Sequence, residues 1–167
     1  MSNRRTAVAA FILATAAAVG YAQSPPKSAA KPNAHPPMVN ASDLKWGPAP
    51  AAFNPGAQLA VVDGDPSQTG PFVIRVKFPD GFKVMPHWHP TDEHVTVLSG
   101  TLAAGVGEKW DDAAMKTFTA GGFARMPKAS PHYVRAKGET IVQVHGTGPF
   151  SLTYVNPSDD PRIKKTQ

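Results

Sequence analysis

The chain reads as an all-β protein of short antiparallel strands, a sandwich or a barrel, and three observations predict it. Eighteen of its 167 residues are Pro and fourteen are Gly, so turn-forming residues recur too often for long helices. Beyond residue 57, short apolar runs alternate with turn clusters such as Asp63-Gly64-Asp65-Pro66 and Pro127-Lys128-Ala129-Ser130-Pro131, the rhythm of a closed or stacked sheet. No helical period appears there, and Asp111 to Met115 allows at most one helical turn.

Residues 1–22 carry Arg4 and Arg5, an apolar stretch from Ala7 to Gly20, and Gly20-Tyr21-Ala22. This is the pattern of a secretory signal cut after Ala22. The 14 residues from Ala7 to Gly20 fall short of the roughly 20 that span a bilayer, so no stable membrane insertion is expected after cleavage. A periplasmic or secreted location follows; Arg4-Arg5 leaves twin-arginine export open beside the general route. Residues 23–42 are rich in Pro, Ala, Lys and Ser with little to bury, and read as a linker in which His35 is a solvated side chain. The domain is expected over residues 43–167, with Leu44, Trp46 and Phe53 as its first apolar anchors.

Within it the expected strands are 58–62, 72–78, 82–89, 93–98, 101–106, 116–119, 122–126, 132–136, 140–145 and 150–155. Gly100 is expected to make a tight turn closing a hairpin between the fourth and fifth of these. The net charge of +5 invites a nucleic-acid reading, yet four of those five charges reside in the first 42 residues. Residues 43–167 hold thirteen Lys and Arg against twelve Asp and Glu, which gives no field for a phosphate backbone. The absence of Cys excludes a disulfide scaffold, a thiolate nucleophile and any Cys-ligated metal.

Five of the six His lie between residues 87 and 145. His87 and His89 are two apart on one strand, so their imidazoles share a face about 6.7 Å apart and can converge on one ion. Glu93 opens the next strand and can face the same point; His132, at a strand start fixed by the loop before it, is the candidate third imidazole. Strand alternation turns His94 to the opposite face. His145 shares a face with Gln143 and Ile141; if that face looks inward, His145 is a catalytic candidate, a second-shell or acid/base group. Trp88, Trp110, Tyr133 and Tyr154 read as packing residues, Arg125 as an exposed strand residue, and Asp111-Asp112 as a solvated turn.

The spacing Gly81-x5-His87-x-His89-x3-Glu93-x6-Gly100 resembles the first motif of the cupin superfamily at every fixed position. Gly121-x5-Pro127-x-Ala129-x2-His132 resembles the second, with Ala129 where that family usually has Gly. The resemblance implies an antiparallel jelly-roll (cupin) barrel with one divalent transition metal ion, Mn, Fe, Zn, Ni or Co, bound by His87, His89, Glu93 and His132. It also carries the expectation of a homodimer through outer strands. Because this fold hosts many chemistries, three functions stand. They are a metal-dependent oxygenase-type oxidoreductase acting on a small organic molecule, a non-catalytic small-molecule or metal-binding cupin, and an interaction protein. Nucleic acid is not an expected partner.

Overall fold

The computed structural model describes residues 38–163; the signal and most of the linker lie outside them. Met38 and Val39 are exposed, and Leu44, Trp46 and Phe53 are partly buried. Nine strands follow: β1 (Gly47–Pro48), β2 (Gln58–Asp63), β3 (Gly70–Phe78), β4 (Lys83–Trp88), β5 (Glu93–Val106), β6 (Lys116–Thr119), β7 (Phe123–Met126), β8 (His132–Gly148) and β9 (Thr153–Tyr154). All pairings are antiparallel. Among the described residues the only helices are two three-residue 3-10 turns, Ala41–Asp43 and Pro157–Asp159. The sheet is curled as in a jelly-roll barrel, and among the described residues no helix is long and apolar enough to cross a membrane.

β8 organises the sheet. One edge pairs with β5 throughout; the other pairs with β4 through residues 132–135 and with β3 through 140–148. β3 shows why a buried face forms: Phe72, Ile74, Val76 and Phe78 are buried while Val73, Arg75 and Lys77 between them are not, the period-2 pattern of a half-covered strand. Full burial of a side chain such as Phe72 contributes about 2–3 kcal/mol. Across the core Phe78 stacks on Phe82 at 5.1 Å and Phe72 packs against Phe150 at 5.0 Å.

Gly100 does not close a hairpin. β5 runs through it as one 14-residue strand, and β8 likewise joins two expected strands into one of 17 residues. Both chains bend together: Gly100 has φ +75 and Gly138 φ +71, and the β5–β8 register shifts twice between Val97 and Thr101. The bulges reverse the parity, so that Val97 and Leu102 are both buried in the core. Thr140, fully buried, secures the bend. Its Oγ1 accepts from the Thr101 N–H at 3.2 Å and donates toward the Thr101 and Gly138 carbonyls at 3.0 and 3.1 Å.

The expected strand 150–155 shrinks to Thr153–Tyr154. Its first carbonyls are engaged elsewhere: Ser151 O accepts from the His89 ring and Leu152 O from Arg162. Asp111 to Met115 forms no helix.

Candidate metal centre

His87 is the penultimate residue of β4, His89 follows the strand, Glu93 opens β5 and His132 opens β8, so three strand ends bring the four side chains together. A register shift between Val84 and His87 lets both residues face the same cavity. The loop from Pro90 to Asp92 is held from outside. Asp92 accepts from the Lys128 N–H at 2.8 Å and pairs with Arg125 at 2.6 Å, and these contacts hold its carboxyl below the usual range. Ala129 donates its N–H to His89 O at 2.8 Å and adopts φ +58, the left-handed conformation for which glycine is the usual residue.

One ligand atom each of His87, His89 and His132 lies within 4.8 Å of the others, and all three rings are buried. Each ring places Nδ1 against a backbone carbonyl: Met85 O at 2.8 Å for His87, Ser151 O at 2.8 Å for His89 and Ser130 O at 3.0 Å for His132. A carbonyl only accepts, so each Nδ1 carries the proton, and the lone pair of a neutral ring sits on Nε2. Glu93 Oε2 lies 3.2 Å from His132 Nε2 and 3.6 Å from His89 Nε2.

This arrangement is unsatisfied without a cation. His89 Nε2 is buried with no hydrogen-bond partner among the described residues. With Nδ1–H given to Ser130 O, a neutral His132 turns its lone pair at a carboxylate oxygen, so two acceptors face each other. A divalent ion resolves both contacts, and three imidazoles with an oxygen donor suit a borderline transition metal. The residues present therefore fit a metal. The Met85, Ser151 and Ser130 carbonyls set the tautomer that ligation requires.

Burial lowers the His87 imidazole to about 3, with the neighbouring rings of His132 and His89 adding to the effect; burial also lowers His89. Burial pushes the Glu93 carboxyl up, but its contacts with His132 and His89 outweigh this and the net direction is down. These directions keep the His87 and His89 rings neutral and Glu93 a carboxylate. Unfolded, His87 takes up a proton near its ordinary 6.5, so between pH 6.5 and 3 the unfolded chain binds a proton that the folded chain excludes. Stability falls as pH drops through that window. Chelator-treated protein is expected to lose about 2–3 kcal/mol between pH 7 and 4.5, read as a fall in Tm of roughly ten degrees. A flat Tm over that range would contradict the buried neutral ring.

The four side chains line a cavity of about 260 Å³. Its remaining wall is chiefly apolar, including Phe53, Ile74, Val95, Val142, Val144 and Phe150. Phe150 stacks on the His89 ring at 4.3 Å. Tyr154 donates its hydroxyl to Ala52 O at 2.8 Å, fastening the loop that supplies Ala52 and Phe53; burial pushes this phenol up to about 12.

His94 is outside the cavity, as alternation predicts. The structure does not bring His145 to the centre. His145 pairs with His94 across β5 and β8 and the two rings stack at 4.9 Å, while Val142 and Val144 line the cavity instead. The inward face of this strand is the all-Val one, because burying two valines costs no hydrogen bonds and burying Gln143 and His145 would. Trp110 and Tyr133 pack together at 5.2 Å. Arg125 is engaged by Asp92, and Asp112 pairs with Arg135 at 2.6 Å. Sequence reading missed the three carbonyls that orient the rings and Arg162, which reaches the cavity from beyond the last strand; the Asp160-x-Arg162 spacing was its one local signal.

Solved structures share this architecture. A polyketide cyclase, RemF, from Streptomyces resistomycificus superposes with a TM-score of 0.62 at 16% identity, covering 74% of this chain and 88% of that one. A candidate acetylacetone dioxygenase from Methylibium petroleiphilum gives 0.59 at 22% identity, covering 78% and 88%. A cupin-2 domain from Rhodospirillum rubrum gives 0.56 at 14% identity, covering 73% and 82%. At such identities the likeness establishes the fold, a cupin barrel. No curated protein matches the chain. Residues 11–153 match the family described as a domain of unknown function, DUF4437, and the chain belongs to that family, whose fold is that of the cupins.

Proposed function

We propose that this chain is an exported, metal-dependent cupin enzyme of oxygenase type acting on a small organic molecule. One observation carries the reading: three imidazoles, each with its Nδ1 proton committed to a backbone carbonyl, turn Nε2 toward one region beside Glu93 in an apolar cavity. His87, His89 and His132 would hold the ion and Glu93 would complete the set. A bound divalent ion supplies Lewis acidity and, where it is redox-active, the electron exchange that oxygenase chemistry needs. The chain's own contribution is to keep the His87 and His89 rings neutral and all three rings oriented, to keep Glu93 as a carboxylate, and to exclude water with the valine and phenylalanine wall.

Oxygen consumption by the iron-loaded protein over a panel of diketones and phenolics tests this. Substrate-dependent uptake that vanishes in His87→Ala is expected; no uptake with any common divalent ion would remove the oxygenase reading. The second reading, a binding protein, draws on the lining itself, which offers no titratable side chain beyond the His/Glu group and Arg162. Saturable binding of the same panel without turnover would favour it. Export is supported by residues 1–22, and N-terminal sequencing of the exported protein should return Gln23; Met1 or Ser2 would overturn it.

A further inference from the structure

We propose that Arg162 anchors the carboxylate of a small organic acid in the cavity, so that the substrate class is an apolar monoacid. The inference rests on the reading of the cavity as a substrate site. Among the described residues that line it, Arg162 is the sole Lys or Arg. The remaining polar lining is Ser151 and the four side chains of the metal centre. A cavity so lined has two chemical poles set among apolar residues, one built to hold a cation and one, Arg162, that is itself cationic and whose side chain is 45% exposed at the cavity's margin.

Arg162 is fixed before any ligand arrives. Its Nε donates to Asp160 Oδ1 at 2.8 Å and Oδ2 at 3.0 Å, and its Nη2 donates to Asp160 Oδ2 at 2.6 Å and to Leu152 O at 3.2 Å. Those bonds use the Nε and Nη2 side of the fork; the two N–H groups of Nη1 have no partner among the described residues. An immobilised guanidinium binds an oxyanion with less loss of side-chain freedom than a mobile one. Asp160 balances most of the charge, so recognition rests on directed hydrogen bonds, and a single carboxylate suits the site better than a doubly charged phosphate.

The segment Phe150-Ser151-Leu152 ties the two poles together. Phe150 stacks on the His89 ring, Ser151 O holds the His89 Nδ1 proton, and Leu152 O receives Arg162. Consecutive carbonyls therefore place a metal-centre imidazole and the guanidinium on one short stretch of chain. A small acid can lie between them with its carboxylate at Arg162, its hydrocarbon against Phe150 and the valines, and its other end toward His89. A purely structural Arg162 would tie the C-terminal turn to Leu152 and give no preference between an acid and its amide.

The experiment compares benzoate with benzamide, its neutral isostere, by equilibrium titration of the whole chain in metal-loaded and chelator-treated form. The unaltered protein should prefer benzoate on the order of tenfold in both forms, since a hydrogen bond to a charged partner is worth about that factor or more. Arg162→Gln should abolish the preference by weakening benzoate binding far more than benzamide binding; Arg162→Lys should retain part of it. A preference that survives Arg162→Gln, or its absence in the unaltered chain, overturns the inference. The unaltered comparison decides even where Arg162→Gln fails to fold. A preference confined to the metal-loaded form and indifferent to Arg162 would mean that benzoate ligates the ion, which overturns this inference and leaves the metal reading standing. An Arg162-dependent preference in a protein that takes up no metal would do the reverse.

Discussion

His132→Ala is expected to weaken metal binding on the order of 100-fold or more, while His94→Ala leaves it within about threefold. The two residues separate because they sit on opposite faces of the same sheet. His132 is buried with Nε2 aimed at Glu93, whereas His94 stacks on His145 and Phe123 outside the cavity. Removing His132 also frees Glu93 Oε2 from its nearest imidazole, so the remaining donors lose both a ligand and a fixed geometry. A competitive chelator titration of both variants checks the contrast. Equal losses would mean that β5 presents its other face to the ion and that Glu93 is not part of the set.

Gly100→Ala is expected to cost about 3 kcal/mol or more, among the larger single effects available to this fold. A methyl group there would clash with Glu139 O and stand 2.7 Å from Thr140 Oγ1, and φ +75 adds a left-handed penalty of about 1–2 kcal/mol for any other residue. Relief would require parting β5 from β8 at the hydroxyl that fastens them. Gly47→Ala is the control: a Cβ there meets nothing within 4 Å, and a change within about 0.5 kcal/mol is expected. Denaturant midpoints of the two variants give the comparison. A mild Gly100→Ala would show that the paired bend is soft and does not set the position of Glu93 relative to the imidazoles.

Local alternation made much of this molecule readable. β6 occupies the expected residues, β2 and β3 extend theirs by one or two residues, and the facing of Glu93 and His94 followed from period-2 geometry. What alternation could not show is where it breaks. The bulges between Val97 and Thr101 depend on a close approach to residues of β8 that lie 39 positions on at Thr101–Thr140, and nothing in the local sequence separates such a bend from a turn at Gly100. His145 was misplaced for a related reason: in Ile141-Val142-Gln143-Val144-His145 both faces carry apolar residues, and the choice belongs to burial energetics across the barrel. The rings' carbonyl partners are backbone groups, invisible in residue types. Arg162 lies beyond the last strand and meets the cavity only through the fold of the C-terminal turn.

Metal content of the protein purified without chelator tests the central claim most directly. The account predicts about one divalent transition metal ion per chain in the unaltered protein, bound through nitrogen and oxygen donors, and little in a His87→Ala/His89→Ala double variant of normal secondary structure. Metal at a small fraction of an equivalent after exposure to each of Mn, Fe, Co, Ni and Zn, or equal metal in the double variant, would contradict it.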